Sequence, residues 1–335
     1  MAREKNLHIE TLRGLSILLI VMGHVIGSTP EGGMQIDYPS PWRYFYLCSI
    51  FIRLPLITAI AGWVYALKPV TAERAGAFVK NKFYRLLIPM FVVAALYYIM
   101  QIIIPGTNKS ESISEIWRLF LFPYTYFWYL FSLFVIMLFI LVIDLNGWAS
   151  TFKRWSLCLV AALLLAVAEK TIIPYEVPNL FGFKGALLLL PYFIAGVGIN
   201  RFSSILSDKR YNVAYILMAV IGIVLLQVEW FSSFGDYGIL FESLKPLFII
   251  PLLALLFYYM PIFKPLVWVG AFSYTIYLYH GFGTAGGRII LSYLGIENRP
   301  VVFLFASAIA ILCPVILDRI LVRSKPLRFF FLGKK

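Results

Sequence analysis

The chain of 335 residues is 61% hydrophobic and only 13% charged, and its mean hydropathy of +0.86 lies far outside the range of a water-soluble globular protein. That composition excludes a soluble enzyme domain and predicts an all-α, polytopic membrane protein. The formal net charge of +13 is read through topology and contact with membrane lipids, and no nucleic-acid partner is expected.

Apolar runs of about 20 residues predict ten transmembrane helices, near 12–28, 44–67, 86–104, 126–144, 155–172, 185–200, 212–230, 244–260, 265–282 and 301–318, in one integral membrane domain over 1–335. If the N-terminus is cytoplasmic, 19 of the 29 basic residues fall on the cytoplasmic side and 8 on the other. The positive-inside rule then places both termini in the cytoplasm. Arg3 and Lys5 precede the first run as they would in a signal peptide. Arg13 and His24 interrupt it, however, and no small-residue cleavage site follows, so it is expected to stay as the first span.

In chain order, the first span carries the most informative pair. Arg13 and His24 are eleven residues apart, about three helical turns, so they share one stripe at a separation of about 16 Å. Ionisable groups at lipid depth usually face a bundle interior or a water-filled cavity, although snorkelling explains an arginine and an interhelical hydrogen bond explains a histidine. The second span holds Arg53 two residues before Pro55, as a functional cation or a structural partner for a carboxylate or for freed carbonyls. At the cytoplasmic start of the third, Lys80, Lys82 and Arg85 form a basic cluster suited to phosphate or to plain interfacial anchoring.

Phe127-Trp128-Tyr129 opens the fourth span, where an aromatic interface belt competes with sugar stacking and is favoured for any single ring. Pro55, Pro89, Pro191 and Pro251 should kink or begin helices. On the ninth span Ser273, Tyr277 and His280 fall at i, i+4 and i+7, one polar stripe; Tyr279 beside it reads as belt. The longest connections, 28–43, 105–125, 170–184, 230–243 and 283–300, all lie on the outer side and are rich in Pro, Gly and aromatic residues, as loops that shape a site often are. Cys48, Cys158 and Cys313 show no metal-ligand or redox spacing and read as small apolar packing residues. No metal is expected.

Several of these segments together resemble a known family. His8-Ile9-Glu10-Thr11-Leu12-Arg13-Gly14-Leu15, with His24 after ten intervening residues, is similar to the Arg-x10-His signature of the acyltransferase-3 family of integral membrane acyltransferases. Ala61-Gly62, Arg85-Leu86-Leu87-Ile88-Pro89, Phe127-Trp128-Tyr129-Leu130, Phe272 to His280 and Ser324-Lys325-Pro326-Leu327-Arg328-Phe329 continue the likeness in order. Glu10 stands where members commonly have Asp, and Ala61 where they have Ser. The chain ends soon after the tenth span, so the extracytoplasmic esterase-like domain of some members is not expected.

The resemblance implies transfer of an acyl group, usually acetyl from acetyl-CoA, to a sugar hydroxyl of a surface polysaccharide or lipid-linked glycan by a multi-pass protein of the inner (plasma) membrane. Other polysaccharide-synthesis proteins would be partners. A sugar hydroxyl needs a general base, and His24 is the candidate, with Arg13 a second catalytic candidate further along the same stripe. Arg13, Arg53 and Arg85 are candidates for the anionic coenzyme. Glu10, Trp128, Ser273, Tyr277 and His280 are substrate-binding or oxyanion candidates, and for the oxyanion Tyr277, His280 and Arg53 stay open. Glu10 is too far down the helix to orient His24. A transporter or flippase of an anionic glycolipid would also place Arg and His in spans, and within the enzyme reading a succinyl donor or a lipid acceptor remains open.

Overall fold

The structure, a computed structural model, describes residues 6–105, 107, 112–231 and 237–334. Arg3, Lys5, Lys109 and Lys335, counted in the charge asymmetry, lie outside the described residues. Among those described the fold is helical, with no strand: α1 (Leu7–Ile26), α2 (Pro41–Ala66), α3 (Ala75–Lys82), α4 (Ile88–Ile103), α5 (Trp128–Leu145), α6 (Phe152–Thr171), α7 (Phe183–Arg201), a single turn α8 (Ser203–Leu206), α9 (Asn212–Phe231), α10 (Tyr237–Tyr259), α11 (Lys264–Ala271), α12 (Ser273–Tyr293), α13 (Arg299–Leu321) and α14 (Lys325–Leu332). Nine of the ten expected spans fall each on one helical segment, and the ninth falls on two.

Eight helical segments among the described residues are long and apolar enough to cross a membrane. The other two expected spans fall on α6, which carries Lys153, Arg154, Glu169 and Lys170, and on α12, which is rich in Gly, Tyr and Ser. The ninth span differs most from expectation. Phe272, at φ −108° and ψ 9°, breaks it; α11 stops there, packed on α1, and α12 runs on to Tyr293. Because α12 is buried inside the bundle, it does not need the apolar run that marks a lipid-facing helix. The connection expected over 283–300 therefore shrinks to 294–298.

Local signals set the helix ends. Asn6 Oδ1 accepts from the Ile9 amide at 3.2 Å, and Ser40 Oγ accepts from the Arg43 amide at 3.2 Å with Pro41 as the first helical residue, the usual N-terminal arrangement. Gly27 at φ +92° ends α1. α3 and α4 form one rod through a π-helical turn at Phe83–Leu87, which holds Arg85. Pro55, Pro191 and Pro251 lie inside helices, and Pro89 lies in the first turn of α4.

Close helix packing rests on small residues. A methyl group added at Gly62 of α2 would lie 2.0 Å from the Phe193 carbonyl oxygen of α7. The central helices α1, α2, α5, α7 and α12 consequently enclose most of the buried core.

Two expected roles are corrected. Phe127, Tyr129 and Tyr279 are buried, so they do not form a lipid-facing belt; Tyr279 donates to the Phe331 carbonyl at 3.2 Å. Cys48 and Cys158 are partly buried, but Cys313 is exposed on α13 and packs into no core. α14, unforeseen as an element, docks on α4, with Lys334 paired to Asp318 at 2.8 Å.

Candidate active site

The end of α1 that holds His24 opens into a cavity of about 710 Å³, within the usual range for a small-molecule site. Ile20 and His24 line it from α1, Arg53 and Leu54 from α2, Tyr126, Trp128 and Tyr129 from the start of α5 and the turn before it, and Tyr277, Thr284 and Arg288 from α12. No carboxylate lines it among the described residues.

The loop between α1 and α2 is folded over this end by one side chain. Arg43 is fully buried and donates Nε to the Ile36 carbonyl at 2.7 Å, Nη1 to Gly27 at 2.7 Å and Nη2 to Thr29 at 2.6 Å. Gly33, at φ +55°, lines the cavity, and its carbonyl accepts from Arg288 at 2.5 Å. The loop is thus tied both to α2 and to α12.

Three rings meet beside the cavity, and two of them, His24 and Tyr126, line it. The imidazoles of His24 and His280 lie 4.9 Å apart between centroids, and Tyr126 lies 5.8 Å from His24 and 4.3 Å from His280. His280 is fully buried, and its Nδ1 sits 2.7 Å from the Tyr277 carbonyl and 3.2 Å from that of Ile276. Carbonyls only accept, so Nδ1 carries the proton. In the neutral ring Nε2 is then a bare acceptor, and it has no partner among the described residues. The Tyr277 hydroxyl donates to the Tyr126 carbonyl, and the Tyr126 hydroxyl donates to that of Leu278 at 3.1 Å.

Arg53 is buried and lies over the Tyr46 ring at 4.5 Å. Its guanidinium crosses the backbone of Gly23, where an added methyl group would fall 1.5 Å from Nη1. Nη1 has no hydrogen-bond partner among the described residues. The structural partners expected for it, a carboxylate or the carbonyls freed by Pro55, are not engaged by this atom.

The remaining candidates lie elsewhere. Arg13 donates to Glu10 Oε1 at 2.8 Å within α1, with side chains 27% and 9% exposed, and neither lines the cavity. Arg85 is exposed at the same end of the bundle, where its backbone carbonyl accepts from the Tyr274 hydroxyl at 2.5 Å. Ser273 begins α12, away from the cavity lining. His24, Arg53, Trp128, Tyr277 and His280 are therefore brought together, and Glu10, Arg13, Arg85 and Ser273 are not.

Sequence reasoning missed Tyr126 and Arg288. The signal for Arg288 was present: Tyr277, Gly281, Thr284 and Arg288 continue one helical stripe at i, i+4, i+7 and i+11, the same eleven-residue step as Arg13 to His24. It was hidden because the segment was read as a loop.

The family model described as an acyltransferase domain, acyltransferase-3, matches residues 6–319. No curated protein and no solved structure matches the chain. The match takes in every helix from α1 to α12 and nearly all of α13, and the chain belongs to the acyltransferase-3 family, as a multi-pass membrane acyltransferase.

Proposed function

We propose that the protein transfers an acyl group, acetyl in the simplest case, from a coenzyme A thioester to a hydroxyl of a surface polysaccharide or lipid-linked glycan, with His24 as general base. The observation that carries this reading is an imidazole facing a cavity lined by two arginines and several aromatic rings, with no carboxylate among the described residues. The aromatic walls suit a sugar face, and the cations suit an anionic substrate.

In the forward step the acceptor hydroxyl oxygen attacks the thioester carbonyl carbon while its proton passes to His24. The carbonyl π pair moves to oxygen. Collapse of the tetrahedral intermediate re-forms the carbonyl and expels the thiolate, which takes the proton back from the His24 imidazolium; the products are the sugar ester and free coenzyme A. The bare Nε2 of His280 would accept from the other His24 nitrogen once that ring turns toward it, the orienting role that a carboxylate plays in a triad. His280 in this reading is a positioning residue.

The donor is proposed to arrive at the opposite end, where Arg85 is exposed and Arg13 partly so, with its phosphates there and its acyl arm running along α1 over about 16 Å. On the charge asymmetry that end is cytoplasmic, in the plasma (inner) membrane. A transporter or flippase would bind such ligands without turnover, and membership of an acyltransferase family weighs against it.

The test is His24→Ala in purified protein, assayed by incorporation of labelled acetyl into glycan, with coenzyme A binding measured in parallel. Incorporation should fall by at least about 10³-fold with coenzyme binding kept. Near-wild-type incorporation would remove His24 from the reaction.

A further inference from the structure

We propose that Arg53 is the oxyanion donor of this transfer, holding the negative charge on the thioester carbonyl oxygen through its guanidinium N–H groups; the proposal rests on the reading of His24 as base. Three groups near His24 could serve, and their hydrogen bonds separate them. The single hydroxyl proton of Tyr277 is committed to the Tyr126 carbonyl. The one N–H of neutral His280 is committed to the Tyr277 and Ile276 carbonyls, which leaves a lone pair at Nε2 that would repel an oxyanion. Arg53 alone of the three keeps an uncommitted N–H, on a permanently charged group that only donates.

Its surroundings hold that donor in place. The guanidinium lies on the Tyr46 ring on one side and crosses the Gly23 backbone on the other, one residue before His24. Arg53 and His24 both line the cavity. Base and oxyanion donor thus converge from two different helices on one reacting carbon. A buried N–H with no protein acceptor is a cost that a ligand oxygen would remove. As the hydroxyl oxygen bonds to the carbonyl carbon, the displaced π pair settles on the carbonyl oxygen beside the Arg53 guanidinium. When the C–S bond breaks, that pair returns and the ion pair dissolves, so the interaction is strongest in the transition state.

The cradle also explains why position 23 is glycine. Any side chain there would occupy the space of Nη1. Gly23→Ala should therefore displace the guanidinium while leaving its charge in the protein.

The experiment measures kcat and KM for acetyl-coenzyme A, together with the affinity for coenzyme A itself, which has no acyl carbonyl, in Arg53→Met, Arg53→Lys and Gly23→Ala. Arg53 has no carboxylate partner among the described residues to orphan, and the Ser16 hydroxyl bonds to its backbone oxygen at 2.5 Å, so the variants should fold. Arg53→Met should lose on the order of 10²–10³ in kcat, with coenzyme A affinity within about twofold. Arg53→Lys and Gly23→Ala should fall between it and wild type, and added guanidinium ion should restore part of the Arg53→Met rate. Should Arg53→Met not fold, Arg53→Lys and Gly23→Ala decide by the same kcat and affinity criteria.

Unchanged kcat with raised KM and weakened coenzyme A binding would instead make Arg53 a phosphate contact and overturn the proposal. So would full activity in Gly23→Ala and Arg53→Met. If Arg53→Met is fully active while His24→Ala is dead, only the oxyanion assignment fails. If His24→Ala is itself active, the underlying reading fails.

Discussion

The end of the helix bundle where α1 begins and the cavity at its other end treat charge in opposite ways; outside that cavity, Lys245 is buried against Glu229 at 3.4 Å. At the end where α1 begins, acids and bases are matched: Asp144 takes two hydrogen bonds of 2.7 Å from Arg201 and a third of 2.7 Å from the Tyr65 hydroxyl, Asp318 holds Lys334 and the Thr275 hydroxyl, and Glu10 holds Arg13. At the end where α1 finishes, two arginines and a histidine line a cavity with no carboxylate among the described residues. A matched buried pair satisfies itself and stiffens the scaffold, whereas cations gathered without acids keep their attraction for a ligand.

The largest effect that would sharpen this contrast is structural. Asp144→Ala leaves the Arg201 guanidinium buried without its partner, a loss of about 3–5 kcal/mol when a buried pair is broken. The folded fraction in detergent should drop sharply, while turnover per folded molecule stays close to wild type. A stable but inactive Asp144→Ala protein would break the division into scaffold and site.

Arg43→Ala comes next. It strips three carbonyls of a charged donor in the loop that covers the cavity, and stability should fall by about 3 kcal/mol or more, read as a lower midpoint of thermal unfolding. An unchanged midpoint would mean that the loop is held by other contacts.

A smaller effect is expected at the matched end, where the acyl donor is proposed to arrive. Arg13→Ala should raise KM for acetyl-coenzyme A by about tenfold, with the effect shrinking in high salt, and leave kcat within a few-fold. Glu10→Gln removes the carboxylate that competes for Arg13, so it should lower that KM by a few-fold. If neither variant moves KM, Arg13 and Glu10 form scaffold only, and the donor path along α1 is wrong.

The contrast between the ends was partly readable from sequence. Arg13, Arg53 and His24 stand out because ionisable groups in an apolar run are rare, and helical spacing places Tyr277 and His280 on one stripe. The partnership of Arg13 with Glu10 is also within reach of spacing, at i, i+3. Arg288 was not legible as part of the site because α12 continues well past its apolar run, buried by neighbours that the local sequence does not reveal. Arg43 is not legible as a structural residue, since its three carbonyl partners exist only once the loop between α1 and α2 has closed. The commitments of His280 and Tyr277 to backbone carbonyls depend on rotamers and on neighbouring helices, so the choice among oxyanion donors could not be made from residue types.

The most direct test of the central claim, that acyl transfer takes place in the cavity at the end of α1, fills that cavity without altering any polar group. Ala285 lines it from α12, and Leu304 is exposed on the outer surface of α13. The account predicts that Ala285→Trp, with thermal unfolding close to wild type, loses glycan acetylation by about 10²-fold or more, as misplaced reacting groups do, while Leu304→Trp retains it. Full acetylation by a folded Ala285→Trp protein would contradict the account and move the reaction to another part of the bundle.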